Sequence, residues 1–295
     1  MLRHNVAPLR RRGAGCTSMA MKDMADFPAS AVTPPRPRDY HGVNWTGTWT
    51  LYLKEVRRFW KVGMQTLIAP VITTLLYLMV FAVAMGGTRP PVHGVAFVLF
   101  IGPGLMMMSI LNAAFANSSS SLMQAKMMGL TMDFITPPLS PTEQVVAFAA
   151  GAATRGLFVG LITAISVYVF VHFTVAHWWA VLYFGLGASL LMGLIGMVTG
   201  LWAEKFDHLA AVTTFIVMPM SFLSGTFYTV DRLPEPFRTF SHYNPFFYMI
   251  SGFRYGFIDS ADGSLAVGVA VVAGLNLILA AACWTLFQTG YRLKT

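Results

Sequence analysis

From Val62 to the carboxyl end, long apolar runs alternate with short polar stretches. Val62 to Thr88 and Pro90 to Ala125 carry no charge, and each is long enough for one helical crossing of a bilayer at about 1.5 Å per residue. Gln144 to Ala203 contains a single charge, Arg155, and accommodates two crossings divided at Val171 to His177. Glu204, Lys205 and Asp207 mark a short turn before His208 to Val230, and Gly263 to Tyr291 forms the last run. The predicted spans are 66–88, 93–117, 145–171, 178–202, 208–230 and 264–289. Ahead of them, Trp49, Leu53, Val56, Trp60 and Gly63 recur at three- and four-residue steps while Lys54, Arg57, Arg58 and Lys61 share the opposite face. This pattern predicts a basic amphipathic helix in the cytoplasmic headgroup region, and it also fits the first surface turns of the next membrane helix. Asp231 to Asp262 is polar at both ends and aromatic in the middle. It is too aromatic for water and too interrupted to span, which predicts an outer re-entrant hairpin buried in protein.

The expected fold is an all-α polytopic membrane protein. It has six transmembrane helices, an N-terminal amphipathic surface helix and a re-entrant hairpin between spans five and six. Composition agrees: 56% of the 295 residues are hydrophobic and 11% charged, against about 25% charged in soluble domains. An ordinary soluble enzyme is excluded. The net charge of +8 reads as a topology signal rather than a nucleic-acid footprint, because 11 of the 20 Lys and Arg precede the first apolar run. An even number of spans places both termini on one side, and the basic leader assigns that side to the cytoplasm. On this assignment 16 Lys and Arg fall at inner positions and four at outer ones, but without the first 11 the balance is five against four. Residues 1–44 read as a disordered basic cytoplasmic leader without a cleavable signal, with Met19, Met21 and Met24 as alternative starts, and residues 45–295 as the membrane domain. Cys16 and Cys283 lie in unlike environments, so no disulfide is expected.

Candidate chemistry is sparse. No P-loop, His-Glu-x-x-His or Cys-x-x-Cys motif occurs, so ATP binding by this chain alone is not expected, and no metal or other cofactor site is read. His172 and His177 beside Trp178 and Trp179 read as an interfacial belt rather than metal ligands. Ser118 to Ser121, Ser140, Ser221 and Ser224 have no accompanying His and Asp, which leaves a serine hydrolase reading without support. Arg155 lies about ten residues into its span and either faces the bundle interior or snorkels to headgroups. Asn112 and Asn117 are the other intramembrane polar candidates, following the Gly102-Pro103-Gly104 break in span two, as helix glue or as lining of a path. Gly156/Gly160 and Gly196/Gly200 fit close helix packing. The stretch from Gly129 to Glu143 holds Pro137, Pro138 and Pro141, and a stiff, half-apolar inner loop suits docking against another protein. Capping of the next span by Ser140 or Thr142 would give a plain turn instead.

In the outer stretch a Leu-Pro pair is followed by Pro-Phe-x-Tyr and then Arg, met by Leu233, Pro234, Pro245, Phe246, Tyr248 and Arg254. With the basic helix, the proline-containing inner loop and the short inner turn at Ala203 to Asp207, residues 45–295 resemble the permease subunit of ABC-2 type exporters. The resemblance implies a bacterial cytoplasmic (inner) membrane permease that forms a dimer, with a second identical copy expected. It further implies coupling to two copies of a separate ATPase subunit that binds the ATP and Mg, with the hydrolysis in that partner. It places Lys54, Arg57, Arg58, Phe134, Thr136, Pro137, Pro138 and Pro141 against the ATPase, and Leu233, Pro234, Pro245, Phe246, Tyr248 and Arg254 in an outer gate. The expected activity is export of a hydrophobic or amphipathic substrate by alternating access. The competing reading is a membrane assembly or accessory protein that transports nothing.

Overall fold

The computed structural model describes residues 42–61, 63–85, 92, 94–131, 136–230 and 234–292, all within one folded unit that begins at Gly42. The expected leader lies almost wholly outside the described residues. The helices are α1 (Trp45–Lys61), α2 (Gly63–Met85), α3 (Phe97–Met127), α4 (Pro141–Phe170) and α5 (Trp178–Trp202). Next come α6 (Phe206–Val212), a π-helical turn (Thr213–Val217) and α7 (Met218–Leu223), then α8 (Glu235–Tyr243), α9 (Pro245–Ile258) and α10 (Leu265–Thr289). Six segments among the described residues are long and apolar enough to cross a membrane: Thr66–Val83, Phe97–Met127, Pro141–Phe170, Trp178–Trp202, Phe206–Leu223 and Leu265–Thr289.

The core forms around α3, which packs against α4 and α5 and is buried along most of its length. Small residues permit the close approach. A Cβ on Gly196 of α5 would stand 2.6 Å from the Phe115 carbonyl oxygen of α3, and one on Gly160 of α4 would stand 2.6 Å from the Ile110 side chain. Both glycine pairs read from the sequence are therefore contact points between helices. By contrast, α2, the α6–α7 crossing and α10 expose Ile72, Met79, Val83, Phe215, Ile216, Leu277 and Ile278. Such faces are stable against lipid, which is as apolar as they are.

Three local readings change. First, Gly102-Pro103-Gly104 is not a break. Pro103 sits within the first two turns of α3, and Gly104 leaves room for the Thr226 carbonyl, which would lie 2.8 Å from a Cβ there. Second, α3 continues past residue 117 to Met127, because Ser119 and Ser120 donate back to the Phe115 and Ala116 carbonyls and so stay within the helix. Third, the fifth crossing ends at Leu223 rather than 230, and a π turn precedes Pro219, whose ring cannot sit against the carbonyl four residues earlier.

The basic helix α1 packs against α4. Its successive partners are Glu143 at Asn44, Gly151 at Glu55 and Phe158 at Trp60, so it runs alongside the N-terminal half of α4 in the same direction. Thr48, Leu51, Glu55 and Phe59 form its buried stripe, whereas Trp45, Trp49 and Trp60 remain exposed.

Candidate functional site

At one end of the bundle, α1 and the proline loop form a single hydrogen-bonded corner. Ser140 caps α4: the Glu143 N–H donates to Ser140 Oγ (3.3 Å), and the Ser140 N–H donates to Glu143 Oε2 (2.7 Å). The other Glu143 oxygen accepts from the Asn44 backbone N–H (2.6 Å), and the Asn44 side-chain amide donates to the Pro138 carbonyl (3.3 Å). Gly47, in the first turn of α1, gives this corner its closeness, since a Cβ there would lie 2.7 Å from a Leu139 methyl. The two elements expected to meet a partner are thus tied to each other. Within the corner Thr136 and Pro138 are exposed, while Pro137 and Pro141 are half-buried. Phe134 lies outside the described residues.

Further along α1 the polar contacts turn inward. Glu55 is fully buried; Ser121 donates to its Oε1 (2.6 Å) and Arg58 Nη2 to its Oε2 (3.1 Å). The same Arg58 nitrogen donates to the Asn117 carbonyl (2.7 Å) and Oδ1 (3.1 Å), and Nη1 donates to Ser120 Oγ (3.1 Å). Arg58 therefore fastens α1 to α3, while Lys54 and Arg57 stay on the exposed face. Arg155 is buried beside Glu55 and Arg58. Asn112 is half-buried, and its amide donates to the Met108 carbonyl in its own helix (2.9 Å).

The same end is closed by two cations. Lys126 donates to the carbonyls of Gly200 (3.4 Å), Leu201 (2.8 Å) and Ala203 (2.5 Å), and Arg292 donates to that of Trp202 (2.5 Å) while pairing with Glu204 (3.0 Å). The last carbonyls of α5 are thereby satisfied by positive charge, which also suits the negative end of its dipole.

At the opposite end, α8 and α9 meet at Asn244. Its side-chain oxygen accepts from the Phe246 N–H (3.0 Å), and its amide donates to the Met220 carbonyl (2.8 Å) and Ser224 Oγ (2.8 Å). Pro245 opens α9, and Phe246 and Arg254 are buried while Tyr248 is half-buried. The Arg254 guanidinium pairs with Asp262, donates to the Gly225 carbonyl (2.7 Å) and lies 3.8 Å from the Phe100 ring centroid. Pro234 precedes α8, whose Phe237, Phe240 and Tyr243 are exposed; Leu233 lies outside the described residues. His177 packs face to face on Tyr255 (centroids 4.6 Å apart) and pairs with Asp259 (2.8 Å), and the Ala176 and His177 N–H groups donate to the Gly256 carbonyl. His172 meets Tyr168 edge-on. Among the described residues no group of three His, Cys, Asp or Glu is arranged to hold a metal ion.

Six apolar crossings, a basic helix joined to a proline-containing corner, and a buried helix on the opposite side describe the membrane part of a transporter. Residues 46–258 match the ABC-2 type transporter family, and the chain belongs to it. Over 253 residues it is 38% identical to the inner membrane transport permease YadH of Escherichia coli K12, covering 85% of this chain and 98% of YadH. Nodulation protein J of Rhizobium leguminosarum bv. viciae is 24% identical over 240 residues, with 78% and 88% covered. Nodulation protein J of Sinorhizobium fredii is 23% identical over 248 residues, with 82% and 90% covered.

Sequence reasoning passed over Asn44, Glu55, Lys126, Asn244 and Asp262. Glu55 had a signal: an acid in register with Leu51 and Phe59 on the buried stripe needs a partner. The spacing Ser140 to Glu143 likewise spells a capping box. Nothing along the chain links Lys126 to the α5 carbonyls or Arg254 to Gly225, which are contacts between distant segments.

Proposed function

We propose that this chain is the membrane subunit of an ATP-driven exporter in the bacterial inner membrane, powered by a separate ATPase chain. It would work as a pair of identical permeases with two ATPase copies, which bind the ATP and Mg. The substrate class is hydrophobic or amphipathic, and transport proceeds by alternating access. The observation that carries the reading is the corner formed by Asn44, Pro138 and Glu143: a force on the exposed loop would reach α1 and α4 together. An apolar groove of about 450 Å³ between α1, α4 and α5, lined by Trp45, Trp49, Tyr52, Thr154 and Leu190, suits an apolar substrate class.

This end of the bundle faces the cytoplasm. Lys54, Arg57, Lys61, Lys126, Lys205 and Arg292 gather there, so the positive-inside asymmetry persists without the leader. The ATPase would engage Lys54, Arg57, Thr136 and Pro138 on the exposed side of the corner, and Phe134 belongs to the same loop. On the outside, Pro234, Pro245, Phe246, Tyr248 and Arg254, with Leu233, would form the gate, and α8 and α9 the re-entrant hairpin.

Co-expression with a candidate P-loop ATPase from the same genome tests the proposal. The two chains are expected to purify together and hydrolyse ATP faster with substrate in proteoliposomes. A permease that purifies without any ATPase from native membranes would favour an accessory protein instead.

A further inference from the structure

Among the described residues, the side chains of four cations reach into the folded unit: Arg58, Lys126, Arg155 and Arg254. Three are held from within through their terminal nitrogens, Arg58 by Glu55, Asn117 and Ser120, Lys126 by carbonyls of the α5 end, and Arg254 by Asp262 and Gly225, although the Nε of Arg58 and of Arg254 is unpartnered. Arg155 differs. Its residue is 9% exposed, its Nε has no partner, and no hydrogen bond or ion pair joins it to any described residue. The nearest carboxylate, Glu55, already accepts from Ser121 and Arg58. Two guanidiniums and one carboxylate leave a net charge of +1 in a buried place, which is costly unless a further anion arrives.

The surroundings have donors to offer such an anion. Asn117 spends its oxygens on Arg58, leaving its buried Nδ2 without an acceptor, and Arg58 Nε is likewise unpartnered. These groups are contiguous: a Cβ on Gly151, one turn before Arg155, would lie 2.8 Å from Glu55 Cβ and 3.6 Å from Asn117 Nδ2. Depth narrows the source. Counted back from Phe170, about 30 Å of hydrocarbon at about 1.5 Å per residue ends near Gly151, which puts Arg155 roughly one turn inside the inner boundary. Phosphate groups of inner-leaflet amphiphiles lie next to that level, and a guanidinium fork matches phosphate oxygens.

We propose that Arg155, with Asn117 Nδ2 and Arg58 Nε, forms an oxyanion site that takes the phosphate headgroup of an amphiphile from the inner leaflet. The site belongs to this chain alone; its inner-leaflet placement rests on the proposed cytoplasmic assignment of this end, not on the ATPase.

The test measures thermal unfolding of the full-length chain in a neutral detergent during titration with phosphatidylglycerol, phosphatidylcholine or inorganic phosphate. For the wild-type chain the midpoint should rise saturably with phosphatidylglycerol. Arg155→Gln should raise the half-saturating concentration roughly tenfold or more, the loss of a charge-assisted hydrogen bond. Glu55→Gln should lower it, because the competing carboxylate is gone. Saturation by phosphatidylglycerol but not inorganic phosphate assigns the source to a lipid headgroup. Equal saturation by inorganic phosphate supports the oxyanion chemistry but overturns the lipid source. Identical curves for wild-type and Arg155→Gln, no saturable shift with either anion, or both variants moving the same way would overturn the site itself. Should Arg155→Gln not fold, Arg155→Lys keeps the charge without the planar fork and should weaken binding while Glu55→Gln strengthens it.

Discussion

Arg254 is enclosed by α3, α9 and the turn after α7, and its contacts span three separate stretches of the chain. Replacing one partner of such a pair strands the other charge in a buried site. Arg254→Met is expected to cost about 3–5 kcal/mol, read as a lower unfolding midpoint and poor recovery in detergent. Arg254→Met combined with Asp262→Leu should recover part of that loss, since removing both charges removes the stranded one. If the single variant unfolds at the wild-type midpoint, Arg254 does not hold the outer assembly together. Gly196 makes a second residue-scale case. An added methyl would meet the Phe115 carbonyl at 2.6 Å, which backbone cannot yield cheaply, so Gly196→Ala should destabilise by about 1–3 kcal/mol in the same measurement.

Among the elements, α1 carries the most consequence because it packs on the N-terminal half of α4 and joins the proline loop. Asn44→Ala removes the amide that reaches Pro138, and Glu143→Gln weakens the acceptor of the Asn44 and Ser140 N–H groups. Both are expected to lower substrate-stimulated ATP hydrolysis of the reconstituted complex while leaving membrane insertion intact. Replacing Pro137 and Pro138 with Gly should act the same way by softening the loop. Unchanged stimulation in all three variants would remove the corner from the coupling path. These elements were readable to different degrees. The helical period of α1 and the prolines of the loop are local features and stood out in the sequence. That α1 runs along α4 depended on which of its faces finds a complement, and Glu55 and Arg58 also tie it to α3.

On the scale of the whole molecule, the C-terminal ends of α3 and α5 and the segment after α10 meet through Lys126 and Arg292, which bond the closing carbonyls of α5. Lys126→Met should leave those carbonyls without their donor and speed amide hydrogen exchange around Gly200 to Lys205, with little change near His177. Uniform exchange in both regions would show that the latch adds nothing to local stability. Reporter fusions after Thr295 and within residues 172–176 should report cytoplasmic and outer locations respectively. The reverse result would place the basic end outside and detach the corner from any cytoplasmic ATPase.

What the sequence determined by itself is the membrane class, the number of crossings and the basic and aromatic elements at their ends. Those follow from hydrocarbon thickness and from the period of a helix, which act over neighbouring residues. The tertiary structure alone decided which polar side chains meet. Lys126 with the α5 end, Arg254 with Gly225 and Glu55 with Ser121 are contacts across long stretches of chain. Arg155 illustrates the division: its rarity inside an apolar run marked it, but only packing revealed that the carboxylate beside it, Glu55, already accepts from Ser121 and Arg58. In an interior where each buried charge needs a counterpart, the pairing depends on three-dimensional proximity, which no local pattern encodes.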